Sequence, residues 1–184
     1  MRDENDNDLI ARVSGGDQEA FQRLYGLYYQ RLFRFVYRMT RRSDLVDEII
    51  NDVMFVVWQK ALTFNRSSRV STWILGIAYN KALKALERST ITINEVPLED
   101  VESCMADRSL PLEKHLEIEN WVATAFDRLS PEQRAVMELT YQHGLHYSDI
   151  ASILDCPENT VKTRMFYARK KLRGLLSELQ EIPS

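Results

Sequence analysis

The sequence predicts an all-α protein: two small helical domains joined by a flexible acidic linker. Apolar residues recur at helical spacing over most of the 184 residues. Gly 6 and Pro 5 are too few for an all-β chain, which would turn roughly every ten residues. The helical pattern breaks down once, from Ser89 to Leu110, where the chain turns acidic and contains Pro97 and Ser103. At 45% hydrophobic and 28% charged the composition is ordinary for a globular protein, which excludes wholesale disorder.

The elements follow in order. Asp17 is placed to cap a helix starting near Gln18, along which Phe21, Leu24, Tyr25, Tyr28, Leu32, Phe35, Val36 and Met39 share one side. Arg41-Arg42-Ser43-Asp44 reads as a polar break before a helix from about Leu45 to Leu62, with Ile49, Val53, Val56 and Val57 apolar. Phe64 to Arg69 has no periodicity, and its Asn and Ser residues favour a loop. A third helix from about Ser71 to Arg88 carries Trp73, Ile74, Ile77, Ala78, Ala82 and Leu86. Thr90-Ile91-Thr92-Ile93 is a short β-prone run with no partner strand nearby. The first domain is therefore assigned to residues 1–92, the linker to 93–110 and the second domain to 111–184.

The second domain opens with Pro111, a good first helical residue, in a helix expected to reach about Leu129. Ser130-Pro131-Glu132-Gln133 is a helix start with the makings of a capping box, and Gly144 ends that helix. A short helix from Tyr147 to Leu154 precedes the turn Asp155-Cys156-Pro157 and a last helix reaching about Leu176.

Charge alternates in blocks. Residues 20–43 hold six arginines and no acid, residues 44–52 four acids and no base, and residues 59–88 six bases against Glu87 alone. Residues 93–119 hold eight acids and two bases, and residues 159–173 six bases and no acid. Such a chain can offer cations to phosphate and carboxylates to a protein despite a net charge of −3. The arginines of residues 23–42 are compatible with a solvated face or with an approach to DNA.

The two short C-terminal helices, the second one basic, have the signature of a helix-turn-helix. Val161, Met165, Ala168 and Leu172 make one stripe of the last helix; Asn159, Lys162, Thr163, Phe166, Lys170 and Arg173 fall opposite. The first stripe suits packing on the domain. The second suits DNA, since an outward Phe166 fits a thymine methyl.

Several segments together resemble the extracytoplasmic-function sigma factors, the smallest sigma-70-family subunits of bacterial RNA polymerase. Gly16-Asp17, Ala20-Phe21, Leu24-Tyr25, the run Asp47-Glu48-Ile49-Ile50-Asn51-Asp52-Val53 with Trp58, and Thr72-Trp73-Ile74 with Ile77-Ala78 and Asn80 resemble region 2. Leu129 to Arg134, Gly144 to Ala151, Asn159 to Met165 and Ala168 to Leu172 resemble region 4. The departures are Asn159 where glycine is common, Asp149 for glutamate, Asn51-Asp52 for Gln-Glu, and Tyr167 where arginine is frequent.

The resemblance implies that Asp47, Glu48, Asn51 and Asp52, on one helical face, meet the basic clamp helices of the largest polymerase subunit. It implies −10 contacts for Arg66, Arg69, Asn80, Lys81, Lys84 and Arg88, a set of cations and amide suited to splayed single-stranded bases. It implies −35 contacts for Asn159, Lys162, Thr163, Phe166, Tyr167, Lys170 and Arg173. The expected partners are core polymerase, promoter DNA and an anti-sigma factor, often membrane-anchored in this group. No cofactor is expected.

The acidic, polar start Met1 to Asp6 is the opposite of a signal peptide, and no apolar run nears the ~18 residues of a membrane span, so a cytoplasmic protein is expected. Cys104 and Cys156 match no metal-ligand spacing, and His143 and His146 flank Gly144 without a second ligand pair. An enzyme is disfavoured: the chain has no Gly-rich phosphate loop, HExxH, GxSxG or inward ExxH pair. The competing function is a helix-turn-helix regulator that binds duplex DNA without polymerase.

Overall fold

The structure, a computed structural model, describes residues 2–92, 125, 126 and 128–180. The helix α1 (Arg2–Ser14) comes first, ahead of the helix predicted from Gln18. Its acidic composition hides a short apolar set, Leu9, Ile10 and Val13, all buried. Tyr28 donates from its hydroxyl to Asp6 Oδ2 at 2.6 Å and ties this helix to the next. Gly16, at φ +84°, makes the turn.

Asp17 then caps α2 (Gln18–Thr40), its Oδ1 accepting from the Ala20 amide at 3.0 Å. That amide first, and the Arg12 guanidinium second, hold the Asp17 carboxyl below its usual pKa. Leu24, Leu32, Phe35, Val36 and Met39 of α2 are completely buried, each stabilising the fold by roughly 1.5–3 kcal/mol relative to exposure.

Only Arg41 and Arg42 separate α2 from α3 (Ser43–Lys60). Arg41 turns left-handed at φ 56° and donates its N–H to the Tyr37 carbonyl. The predicted four-residue break is therefore half as long, because Ser43 and Asp44 already lie in the first turn of α3, where an acid is favoured. A single 3₁₀ turn (Ala61–Thr63) ends this helix, in place of the α-helical continuation to Leu62.

α4 (Val70–Thr92) buries Ile74, Leu75, Ala78 and Ala82. It continues through Ser89, Thr90, Ile91 and Thr92, where the sequence pattern suggested that helical order ends. Extending an existing helix over β-branched residues costs only tenths of a kcal/mol each, roughly 0.7 at most, whereas a lone β-prone run gains nothing without a partner. The linker assigned to residues 93–110 and nearly all of the helix expected from Pro111 lie outside the described residues; Ala125 and Phe126 are helical.

Ser130 caps α5 (Pro131–Tyr141) in a complete capping box: its hydroxyl accepts from the Gln133 amide and its own amide donates to Gln133 Oε1. α6 (Tyr147–Ile153) and α7 (Glu158–Gln180) follow. The turn between them is closed by Asp155 in the left-handed region, φ 47°. Val161, Met165 and Ala168 of α7 are buried and Leu172 packs on the same core, as their stripe predicted.

The two halves share one hydrophobic core, with α2 packed on α5 and α4 on α6. A methyl group built on Gly76 would lie 3.8 Å from Ile153 Cγ1, ordinary van der Waals contact between α4 and α6.

Candidate polymerase and nucleic-acid interfaces

Asp47, Glu48, Asn51 and Asp52 are all exposed on α3. Three of them are held by neighbouring helices. Tyr29 of α2 donates its hydroxyl proton to Asp47 Oδ1 at 2.8 Å, and Tyr25 to Asn51 Oδ1 at 2.9 Å. From the other side, Lys81 of α4 reaches Asp52 Oδ2 at 2.7 Å. Phe55 continues this face one turn on, 59% exposed. Its place was legible in the sequence, three and four positions after Asp52 and Asn51 on a face otherwise polar.

On α4, Asn80, Lys84 and Arg88 are exposed at i, i+4 and i+8, on one face. Lys81 is not on that face. It is half-buried against α3 and paired with Asp52, so two groups expected to meet different ligands are partners of one another. Before α4, Asn65 Oδ1 accepts from the Ser67 amide at 3.0 Å, and exposed Arg66 sits at φ 58°. Arg69, also exposed, offers its carbonyl to the Trp73 amide at 3.0 Å. Trp73 itself lies 4.9 Å from the Phe64 ring, which fixes the loop to the helix and places the indole at the core edge.

On α7, Asn159, Lys162, Thr163, Phe166, Tyr167, Lys170 and Arg173 are all exposed. Phe166 is 62% and Tyr167 53% exposed, their rings edge-to-face at 5.4 Å. The Thr163 hydroxyl donates to the Asn159 carbonyl at 2.9 Å, so toward a base it offers its methyl and lone pairs and no proton. Lys162 pairs with Glu158 one turn earlier, Nζ to Oε1 2.8 Å. Arg169 is drawn aside: its Nε and Nη2 donate to the Tyr141 hydroxyl at 2.9 and 2.6 Å, with the guanidinium over the ring.

The arginine block of α2, left open by the sequence, has local work. Arg38 Nη1 donates to both Glu138 oxygens at 3.1 Å. Arg31 donates to His143 Nδ1 at 2.8 Å, and from α5 Arg134 donates to the Met39 carbonyl at 2.9 Å. Arg23 pairs with Glu19, Arg42 with Asp44, and Arg41 stands 5.5 Å over the Tyr37 ring. Glu138 is only 2% exposed, and burial raises its pKa despite Arg38. Burial first, then Arg31 and Arg38, push His143 down to about 3. His143 is thus a neutral acceptor in the contact between the halves. Among the described residues no group of three His, Cys, Asp or Glu side chains could hold a metal, and no helix is long and apolar enough to cross a membrane.

An exposed acidic face on one helical domain and a helix-turn-helix with an exposed basic, aromatic face on the other make an arrangement suited to a DNA-binding protein. Comparison with known proteins makes the class specific. Residues 24–91 match the family Sigma-70 region 2, and residues 119–172 match Sigma-70, region 4. The ECF RNA polymerase sigma factor SigM of Mycobacterium tuberculosis is 32% identical over 175 residues, 95% of this chain and 86% of the relative. The ECF RNA polymerase sigma-E factor of Escherichia coli K12 is 28% identical over 183 residues, 95% of each chain. The fold resembles CnrH in its complex with the cytosolic domain of CnrY, TM-score 0.71 and 23% identity over 95% of this chain and 98% of that one. It resembles equally the sigma factor RpoE of Bartonella quintana, solved with the anti-sigma factor NepR, TM-score 0.71 and 24% identity over 85% and 96%. The chain belongs to the extracytoplasmic-function sigma factors of the sigma-70 family, which are transcription initiation factors and not enzymes.

Proposed function

We propose that this sigma factor binds core polymerase through the α3 face (Asp47, Glu48, Asn51 and Asp52), captures the −10 element with the Phe64–Val70 loop and α4, and reads the −35 element with α7. One observation carries the reading. An exposed acidic helix face and a helix-turn-helix occur in one chain, in the order of regions 2 and 4. Carboxylates on α3 suit basic clamp helices. Asn80, Lys84 and Arg88, with Arg66 and Arg69 in the loop, suit an unstacked strand, where cations track phosphate and an amide reads a base edge. Asn159, Lys162, Thr163 and Phe166, in the first turns of α7, suit the major groove, with Lys170 and Arg173 toward phosphate and Tyr167 beside them.

The residue division 1–92, 93–110 and 111–184 serves this reading: the linker lets the two readers part. They must do so, because the elements lie roughly 25 base pairs apart, about 85 Å of straight duplex at about 3.4 Å per step, while α4 touches α6. The protein acts in the cytoplasm, where polymerase and promoter are. Its controlling partner is an anti-sigma factor, membrane-anchored, covering these same faces; the resemblance supports that partner, and RpoE, of the same fold, was solved with an anti-sigma factor, NepR.

Asn80→Ala tests the capture step. Open-complex formation should fall, and a template pre-melted across the −10 element should restore much of the loss. A pre-melted template that gives no relief removes α4 from base capture.

A further inference from the structure

We propose that Tyr25 and Tyr29 are positioning residues for polymerase docking, their phenols holding Asn51 and Asp47 of α3 in the orientation that the polymerase meets. The proposal rests on the reading of α3 as the docking face given above.

A carboxylate on a bare helix surface is free to change rotamer, and that freedom is lost on association. Here the loss has been taken in advance. Tyr29 O–H to Asp47 is 2.8 Å and Tyr25 O–H to Asn51 is 2.9 Å, each bond joining α2 to α3 across 18 and 26 residues of chain. The phenols are themselves held. Phe21, Tyr25, Tyr29, Phe33 and Tyr37 stand at i, i+4 spacing along α2, half-buried and packed on the core. Tyr25 and Tyr29 stack at 5.9 Å and 21°, Phe21 stands edge-on to Tyr25 at 6.5 Å, and Tyr29 lies 6.2 Å from Phe33. Phe21 is anchored in turn against Trp58 of α3, edge-on at 5.1 Å. One ring cannot swing away without disturbing its neighbours, so the hydroxyls keep their register opposite α3.

The chemistry suits docking as well as packing. A phenol has one proton to give, so it occupies one carboxylate oxygen and leaves the negative charge of Asp47 in place for a cation. The Asp47 bond raises the Tyr29 pKa above its ordinary value, so Tyr29 remains a donor throughout the neutral range. Apolar packing alone would be served by phenylalanine at both positions, as it is at Phe21 and Phe33.

The test is the affinity of the full chain for core polymerase, measured for wild type, Tyr29→Phe, Asp47→Ala and the double variant. Tyr29→Phe keeps the ring and should leave the thermal midpoint nearly unchanged while weakening core binding roughly threefold to tenfold. Asp47→Ala should weaken binding at least as much, and adding Tyr29→Phe to it should cost nothing further. Tyr25→Phe should behave likewise against Asn51→Ala. Unchanged affinity in Tyr29→Phe beside a clear loss in Asp47→Ala would overturn the positioning role and keep the docking face. Additive losses in the double variant would also overturn it, since Tyr29 would then be a contact in its own right. Unchanged affinity in Asp47→Ala would overturn the docking reading itself at this residue, and the Tyr29 proposal with it.

Discussion

Glu138 and His143 show what the contact between the two halves asks of single residues. A carboxylate that is 2% exposed is tolerable because Arg38 meets both its oxygens, and the cost of removing it from water is what raises its pKa. Arg38→Ala should therefore destabilise the chain by roughly 3 kcal/mol, by leaving a buried charge unpaired. Arg38→Ala with Glu138→Leu should destabilise it less than Arg38→Ala alone. Chemical denaturation of the three proteins decides this, and equal losses would mean that the pair is not coupled. His143 carries a pH signature. Its folded pKa of about 3 lies below its unfolded value near 6.5, so the unfolded chain binds the extra proton between these limits. Stability linked to His143 is present above pH ~6.5 and is lost as pH falls toward 3. From pH 7 to 5 the thermal midpoint of wild type should fall more than that of His143→Gln. Parallel curves would contradict the assignment.

At the scale of elements, the role proposed for α7 separates base reading from phosphate binding along its length. Lys170 and Arg173 stand about three and four turns beyond Asn159, too far from the helix start for base edges in the usual docking. Lys170→Ala should lower affinity about equally for all −35 sequences and reduce the salt slope by roughly one contact. Phe166→Ala should change which −35 sequence is preferred, at a cost of about 1–3 kcal/mol for the original site. A randomised −35 library bound at two salt concentrations measures both, and exchanged behaviour would reverse the helix in the groove. The buried stripe of this helix was legible because Val161, Met165, Ala168 and Leu172 repeat at one period. So were the Asp17 cap and the Ser130 capping box, which act within three residues. Thr90 to Thr92 misled because propensity yields to propagation from a long helix. The Lys81–Asp52 pair was not legible, because helical periodicity marks a residue's angle on its own helix and not the acid waiting on the next. The partners of Arg31 and Arg38 stand 112 and 100 residues away, beyond any local pattern, so the arginine block could not be resolved from one sequence.

For the whole molecule, the charge blocks sort into working parts. The acids of residues 44–52 lie on α3, the bases of residues 66–88 on α4 and the loop before it, with Lys60 at the end of α3, and those of residues 159–173 on α7. The arginines of residues 20–43 mostly join the two halves or satisfy local acids. The proposed function gives polymerase and DNA different faces of one chain, and so predicts that promoter recognition depends on polymerase. The most direct measurement is transcription from a promoter library by core polymerase with and without this protein, alongside promoter binding by the protein alone. A sigma factor should give a discrete set of start sites that core alone ignores, with promoter affinity much higher in the presence of core. Equal affinity for the same promoters with and without core would contradict it and leave a helix-turn-helix regulator that works without polymerase.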